Sequence, residues 1–337
     1  MPKGVGWELF ENYRIAKEKF QPDIFLYENN KSAAQPIKDA IYSALGGGKD
    51  SSVRLTHIDS ALVSAQHRQR FYVTNFGDIE QPEDRGILLC DVLESGKDLS
   101  CREKAYTLTA SYGGAVAWNT LERNQRTMVA EPIRIGTIES NVKNKLHDSK
   151  QYRVYSSDGK ATTLCGQGGG VGAKTGLYVC PINEIDGKPI YTVRNGLITI
   201  KDKQYPVKLR DGYYIIRKLT PTECERLQTM PDGYTVAVSN SQRLRALGNG
   251  WTAEIIIHIL NHALKDVPRD EELVVLSMYD GIATGRYCLD KMGFTNVKYY
   301  AYEIDPYPIK IAMSNYPNII QCGDAFRVRD DDWKIPD

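Results

Sequence analysis

Residues 273–285 read LVVLSMYDGIATG, an apolar run without alternation that breaks into a glycine-bearing turn. A strand that is apolar at nearly every position has to bury both faces, which happens in parallel sheets covered by helices. The pattern continues that way. Arg286 to Met292 reads as a helix, Val297 to Tyr302 as a strand ending at Glu303, and Asp305-Pro306 as the start of another helix. Ile319-Ile320 then leads to Gly323-Asp324. This is β-α-β-α-β with an acidic residue closing the second and third strands, the arrangement that places ligands at the carboxyl ends of a doubly wound sheet.

The turn itself narrows the ligand. Asp280-Gly281-Ile282-Ala283-Thr284-Gly285 lets backbone approach a bound group, but it is not G-x-G-x-x-G, so a pyrophosphate clamp is not favoured. Glu303 lies 22 residues after Gly281, near the ~20 expected for a carboxylate that takes ribose hydroxyls. Asp324 is placed to accept from an adenine amino group. The turn (Asp280, Gly281, Ile282, Thr284, Gly285), Glu303 and Asp324 together point to a nucleoside cofactor without a diphosphate, and S-adenosylmethionine fits that description; the neighbouring Tyr279, Ile304 and Ala325 are expected to join the binding set. The competing reading is that Asp280, Glu303 and Asp324 are ordinary strand-end acids.

Upstream, ELFENYRIAKEKF (8–20) has helical periodicity, DIFLYEN (23–29) is a short apolar run ending in a carboxylate, and Ser32 to Leu45 reads as a helix stopped by three glycines. Val53 to Ile58 and Arg70 to Asn75 read as strands, and the alternation predicts parallel pairing. Residues 76–212 are rich in Gly, Thr and Ser and lack helical periodicity, which predicts a separate, irregular, mostly β domain. It carries a weak repeat, Lys104 to Leu108 with Gly113-Gly114 against Lys160 to Leu164 with Gly169-Gly170. Thr220-Pro221-Thr222-Glu223 predicts a capping box with proline at the first helical position. His258 and His262 share a helical face, but without the Glu of a zinc-protease motif a metal site is not expected.

Composition excludes several classes. Seven cysteines with no C-x-x-C pair argue against a disulfide framework or a zinc ribbon and suit a reducing cytoplasm. No stretch approaches the ~20 apolar residues of a membrane span, and residues 1–11 lack the apolar core of a signal peptide. The net charge is only +1, yet residues 101–180 hold eleven Lys/Arg against six Asp/Glu, and residues 266–337 hold eight against thirteen. The middle of the chain is suited to a polyanion; its end is not.

These segments together resemble the DNA (cytosine-5) methyltransferase family. SMYDGIATG, YEID and GDAF are similar to the family's motifs I to III, YENN (27–30) to its ENV motif, and QHRQR (66–70) to its Q-x-R-x-R motif. RKLTPTECERLQTMPDGY (217–234) and ALGNGWT (246–252) resemble motifs IX and X. The resemblance implies an α/β, Rossmann-like S-adenosylmethionine-dependent methyltransferase sheet with helices on both faces, plus a smaller irregular β-rich target-recognition domain. It implies 1–75 as the second half of the sheet, 76–216 as the recognition domain, 217–264 as motifs IX and X, 265–272 as a connector and 273–337 as the cofactor-binding half. That order is a circular permutation of the family's usual one. Chain termini often lie close together at a surface, so such a rearrangement is physically reasonable.

The resemblance also assigns roles. Glu28 becomes the acid at cytosine N3, Arg68 a contact to the flipped base or its phosphate, and Arg70 a support for the catalytic loop. Asn249 and Trp251 sit beside the cofactor, Trp251 as an aromatic wall, and S-adenosylhomocysteine is the product. Double-stranded DNA is the substrate, in a bacterial or phage-infected cytoplasm, within a modification or restriction-modification system. The family's nucleophile is a Cys after Pro, and no Pro-Cys occurs among the 337 residues. The expectation is a nucleophile supplied by a missing segment or a second polypeptide. The alternative is a catalytically inactive, DNA-binding or regulatory homologue.

Overall fold

A computed structural model describes residues 3–133, 154–156, 177–179, 184–185 and 188–330. The second copy of the repeat, at 160–170, lies outside them. In chain order the elements are α1 (Val5–Phe20), β1 (Leu26–Asn30), α2 (Gln35–Ala44), β2 (Arg54–Asp59), β3 (Gln69–Thr74), α3 (Leu89–Val92), β4 (Lys97–Asp98), α4 (Ala117–Leu121) and β5 (Met128–Ile133). There follow β6 (Val154–Ser156), β7 (Leu177–Val179), β8 (Glu184–Ile185), β9 (Lys188–Arg194), β10 (Leu197–Ile200), β11 (Lys203–Pro206) and β12 (Gly212–Lys218). The last are α5 (Pro221–Leu227), α6 (Asn240–Asn249), α7 (Ala253–Leu264), β13 (Leu273–Met278), α8 (Thr284–Lys291), β14 (Val297–Tyr302), α9 (Pro306–Asn315) and β15 (Ile320–Gly323).

The chain divides into two units. The first comprises residues 1–94, 102–115 and 219–337, the second residues 95–101 and 116–218. Residues 76–94 and 102–115, grouped by composition with the β-rich segment, thus pack with the first unit. The reason is visible at Lys104, whose ammonium donates to the carbonyls of Ala61, Ser64 and Ile87.

The first unit holds two three-stranded sheets, β13-β14-β15 and β1-β3-β2. In the former both pairings are parallel, as the unbroken apolar run of β13 requires. Helices cover both faces. Val297, Tyr299 and Ala301 of β14 pack with Leu264, Leu289 and Ala312 from α7, α8 and α9. Tyr300 and Tyr302, facing the other way, pack with Ala16 of α1 and with Ala325 and Val328. In the second sheet Phe71 and Val73 of β3 meet Phe10 of α1 and Ile41 and Leu45 at α2. One helix, α1, therefore packs on both sheets.

The expected parallel pairing among 23–75 is not observed: β1 and β2 both run antiparallel to β3. Only residues 60–68 join β2 to β3, and a parallel neighbour needs a crossover of a dozen or more residues. Helix α2 starts at Gln35 rather than Ser32, with Pro36 in its first turn, where a proline's missing N–H costs nothing. The capping box at α5 forms as its residue types dictate: Glu223 N donates to Thr220 Oγ1 at 3.1 Å, and Thr220 N to Glu223 Oε2 at 2.8 Å.

Among the described residues the second unit holds the antiparallel sheet β11-β10-β9-β12-β5-β4, with β8 on β9, and the parallel pair β6-β7. Asn195-Gly196 turns β9 into β10 and Lys201-Asp202 turns β10 into β11, all four at positive φ. Two-residue hairpins of this kind match strand twist. Val129, Val193 and Ile198 form fully buried positions of its core.

Candidate active site

The turn after β13 is held in a left-handed backbone. Tyr279, Gly281 and Ala283 have φ of 60°, 65° and 61°. Two of the three carry side chains, so the conformation costs energy that the surroundings must supply. Glu303, at the end of β14, supplies part of it. Its Oε2 accepts from Gly281 N at 2.9 Å, and its Oε1 accepts from Ile304 N and Asp305 N, both at 2.8 Å. Three of a carboxylate's roughly four acceptor positions are thereby used, leaving one for a ligand hydroxyl.

Tyr279 is fixed from α1. Asn12 Nδ2 donates to its hydroxyl at 3.1 Å, and the hydroxyl donates to Leu9 O at 3.0 Å. Asp280 turns inward, where Ser277 and Tyr299 hydroxyls each donate to its Oδ1 at 2.7 Å. Its Oδ2 is buried without a partner. Burial pushes its acidity towards higher pH, and nearby Glu303 adds to this, against the two hydroxyl bonds.

The two glycines of the turn serve different needs. Gly281 is required by its φ, and a Cβ there meets nothing within 4 Å. A Cβ on Gly285 would stand 2.6 Å from the Tyr299 hydroxyl, so its absence lets α8 lie on β14. Ile304 is 69% exposed and Phe326 37%. Ile282, Thr284 and Ala325 are buried. Asp324 is exposed and caps the following turn, accepting from Phe326 N at 2.9 Å. An open turn, a carboxylate with a free acceptor position and exposed apolar side chains fit a nucleoside.

Glu28, in the middle of β1, is half-buried and bound at both oxygens. Arg70 Nε lies 2.8 Å from Oε1, and Trp251 Nε1 donates to Oε2 at 3.1 Å. Arg70 sits opposite Asn30 in the β1–β3 ladder and donates to its Oδ1 at 3.1 Å. The Trp251 ring lies 3.8 Å from the position a Cβ on Gly285 would take, so the indole that donates to Glu28 also lies near the start of α8. Asn249, two residues earlier, is exposed.

Arg68 is placed differently from Arg70. It is 4% exposed, and its guanidinium donates to the carbonyls of Leu108, Gly248 and Gly250 at 2.7, 3.3 and 2.8 Å. Burial pushes its pKa down to about 10, with Arg70 nearby acting in the same direction. Its observed work is to clamp the loop near 108 to the end of α6. Gln66 and Gln228 extend the clamp: Gln66 Nε2 donates to Leu227 O at 2.7 Å and to Gln228 Oε1 at 3.1 Å, and Gln228 Nε2 donates to Leu247 O at 2.7 Å.

His258 and His262 are engaged with backbone carbonyls, those of Glu80 and His258. Among the described residues no cluster has metal-ligand composition. Of the described cysteines, Cys224, Cys288 and Cys322 are buried, and burial raises the pKa of each thiol. Cys90 is exposed. Among the described residues no helix is long and apolar enough to cross a membrane.

The roles of Asn12 and Tyr299 were not visible in the sequence, whereas Gln66 opens the QHRQR segment that the sequence singled out, without its partners being legible there. The partners of Asn12, Tyr299 and Gln66 lie 267, 19 and 161–162 residues away, too far for any local pattern to name them.

The chain is similar to known proteins. It is 32% identical over 110 residues to the type II methyltransferase M.HhaI of Haemophilus parahaemolyticus, covering 33% of this chain and 23% of the relative. It is 29% identical over 167 residues to the orphan methyltransferase M.SPBetaI of Bacillus phage SPbeta, covering 42% and 34%. The matches thus span about a quarter to a third of the length of these relatives. A solved structure of the Entamoeba histolytica methyltransferase EhMeth aligns over 73% of this chain and 64% of its own, at 15% identity and a TM-score of 0.33, too loose a superposition to carry an argument. The profile of C-5 cytosine-specific DNA methylases matches residues 6–265, more than half of the chain, and the chain belongs to that family.

Proposed function

We propose that this protein transfers a methyl group from S-adenosylmethionine to C5 of a cytosine swung out of duplex DNA, and that the thiol nucleophile comes from a Pro-Cys segment outside these 337 residues. The observation that carries the reading is the shared indole: Trp251 lies near the first turn of α8 and donates to Glu28. An acid for the base and a turn for the cofactor thus flank one side chain.

C5 of cytosine is not nucleophilic in the intact ring. Addition of a thiolate to C6 makes it enamine-like, and a proton held at N3 takes up the electron density that the addition pushes onto the ring. Bound S-adenosylmethionine supplies the electrophilic methyl. Glu303 takes a ribose hydroxyl on its remaining acceptor position, Ile304 packs on the adenine, and Asp324 accepts from the adenine amino group. Asn249 borders the methionine end. Glu28 presents its carboxyl at N3 while Arg70 holds Oε1, and a base reaching Oε2 displaces the Trp251 donor. Arg68 keeps the 248–250 turn, and hence Trp251, in place. The 116–218 portion of the second unit, with basic residues in its neighbourhood, takes the DNA backbone.

The family match ends at residue 265, where the connector to β13 begins. This supports a permuted order in which the cofactor-binding half follows the recognition and motif X segments. The named relatives belong to a bacterium and a phage, which favours a modification role in such a cell. The absence of Pro-Cys among the 337 residues favours a second reading, an inactive DNA-binding homologue that retains the cofactor site.

The test is tritiated methyl transfer to duplex DNA, with 5-methylcytosine identified by mass spectrometry. The chain alone binds cofactor and transfers essentially nothing; supplying a Pro-Cys segment restores transfer. Glu28→Gln in the restored enzyme lowers the rate by ~10²–10⁴. Robust transfer by the isolated chain sinks the external nucleophile. Cofactor and duplex binding with no transfer under any supply favours the inactive homologue.

A further inference from the structure

Asn12 lies in the middle of α1, where a leucine or an alanine suits the helix better. It is fully buried, so its amide has to find partners at both ends. It finds them in two other segments. Its Nδ2 donates to the Tyr279 hydroxyl at 3.1 Å, and its Oδ1 accepts from Arg329 Nε. Tyr279 opens the turn after β13, and Arg329 ends the short helical turn Ala325–Arg329 that follows Asp324. One side chain thus ties together residues 267 and 317 positions further along the chain.

The rest of α1 holds the same two segments. The helical period places Glu8, Asn12 and Ala16 on one stripe. The carbonyl of Glu8 accepts from Arg329 Nη2 at 3.4 Å, and that of Leu9 accepts from the Tyr279 hydroxyl at 3.0 Å. Ala16 packs with Ala325 and Val328. Arg329 in turn has its guanidinium 5.1 Å from the centre of the Phe326 ring. Two rings that water still reaches are thereby fixed: Tyr279 is 40% exposed and Phe326 37%. Both are close to Asp324. Phe326 N donates to its carboxylate at 2.9 Å, and its negative charge opposes ionisation of the Tyr279 hydroxyl. An exposed ring held still adds little burial to the fold, but it offers a fixed face to a flat ligand.

We infer that Asn12 is a positioning residue of the cofactor site. It sets Tyr279 directly, and Phe326 through Arg329, as the two aromatic rings that meet the adenosine part of S-adenosylmethionine. Asn12 and Arg329 act through those rings and do not touch the cofactor. The inference rests on the proposed cofactor and adds Asn12, Phe326 and Arg329 to its site. The network serves adenosine and not the methionine end.

The experiment is calorimetry on the full chain with two probes, S-adenosylmethionine and methylthioadenosine, which lacks the amino-acid part. Asn12→Ala and Arg329→Met each raise both dissociation constants roughly five- to tenfold, by the same factor for the two probes. The double variant binds no more weakly than the weaker single one, because both changes cut one tether. Asn12→Asp accepts from Arg329 and from the Tyr279 hydroxyl, and it brings both constants back to within about twofold of the parent. Arg329 is exposed, so its variant decides the matter even where Asn12→Ala does not fold. A folded Arg329→Met with unchanged constants overturns the inference. So does a loss for S-adenosylmethionine without one for methylthioadenosine, or a lowered melting temperature with binding intact. A parent chain that binds neither probe overturns the proposed cofactor and this inference together, so the parent tells the two failures apart.

Discussion

Trp251 Nε1 and Glu28 Oε2, 223 positions apart in the chain, lie 3.1 Å apart, and Arg70 holds the other carboxylate oxygen at 2.8 Å. Hydrogen bonds to a charged group contribute more than neutral ones. Trp251→Phe keeps an aromatic ring and removes the donor, so it should destabilise the first unit by about 1–2 kcal/mol. In a Glu28→Gln background the same change should cost less. A double-mutant cycle on urea midpoints checks this; strict additivity would mean that the two side chains do not interact in solution.

Glu303 both latches the turn and offers its last acceptor position. Glu303→Ala should weaken S-adenosylmethionine binding by ~1–3 kcal/mol, roughly five- to 150-fold in Kd. It should also lower the melting temperature of the unliganded chain, because Gly281, Ile304 and Asp305 lose their acceptor. Calorimetry separates the two effects: unchanged affinity in a destabilised variant would restrict Glu303 to holding the turn.

Asp280 gives a pH dependence of definite sign. Burial raises its pKa in the folded state above the ordinary carboxylate value of 3.8. The folded protein then binds more protons than the unfolded chain in the interval above 3.8, and stability from this group falls as pH rises through the folded pKa. Asp280→Asn keeps an oxygen for Ser277 and Tyr299 and carries no charge. Its stability relative to the parent should improve as pH rises from the ordinary carboxylate value through the raised folded one. Urea titrations at several pH values measure the difference; a flat difference would show that Asp280 ionises as freely in the fold as outside it.

Gly285 and Gly248 exclude a side chain for different reasons. At Gly285 the obstacle is one hydroxyl, that of Tyr299 at 2.6 Å; at Gly248 it is backbone, Thr109 C at 2.2 Å and Ala110 N at 2.3 Å. Gly285→Ala should cost about 1–3 kcal/mol and recover in part when Tyr299→Phe is added. Gly248→Ala has no such relief and should cost more, since a loop clamped by Arg68 has to move. Thermal denaturation of the three variants compares them, and full tolerance of Gly248→Ala would contradict the close approach.

Local signals were the legible ones. The unbroken apolar run of β13, the 22-residue spacing from Gly281 to Glu303 and the Thr220–Glu223 box each depend on neighbours in sequence, and each appears as an element or contact. The direction of β1 and β2 against β3 was misread because periodicity reports which face is apolar and not which way the neighbour runs. Arg68 and Arg70 look alike in QHRQR, yet one is spent on three carbonyls and the other on Glu28. Arg68 stands just before β3 and Arg70 within it, and what each guanidinium meets is decided by segments far along the chain.

The chain enters the second unit at 95, returns to the first for 102–115 and leaves again at 116. The returning stretch carries Lys104, the carbonyl of Leu108 and the Tyr112 hydroxyl, which accepts from Leu219 N at 2.7 Å. A graft that exchanged 95–218 as one block would therefore tear a wedge out of the sheet-bearing unit. Replacing the second unit of this scaffold calls for two separate exchanges, with 102–115 left as native sequence between them.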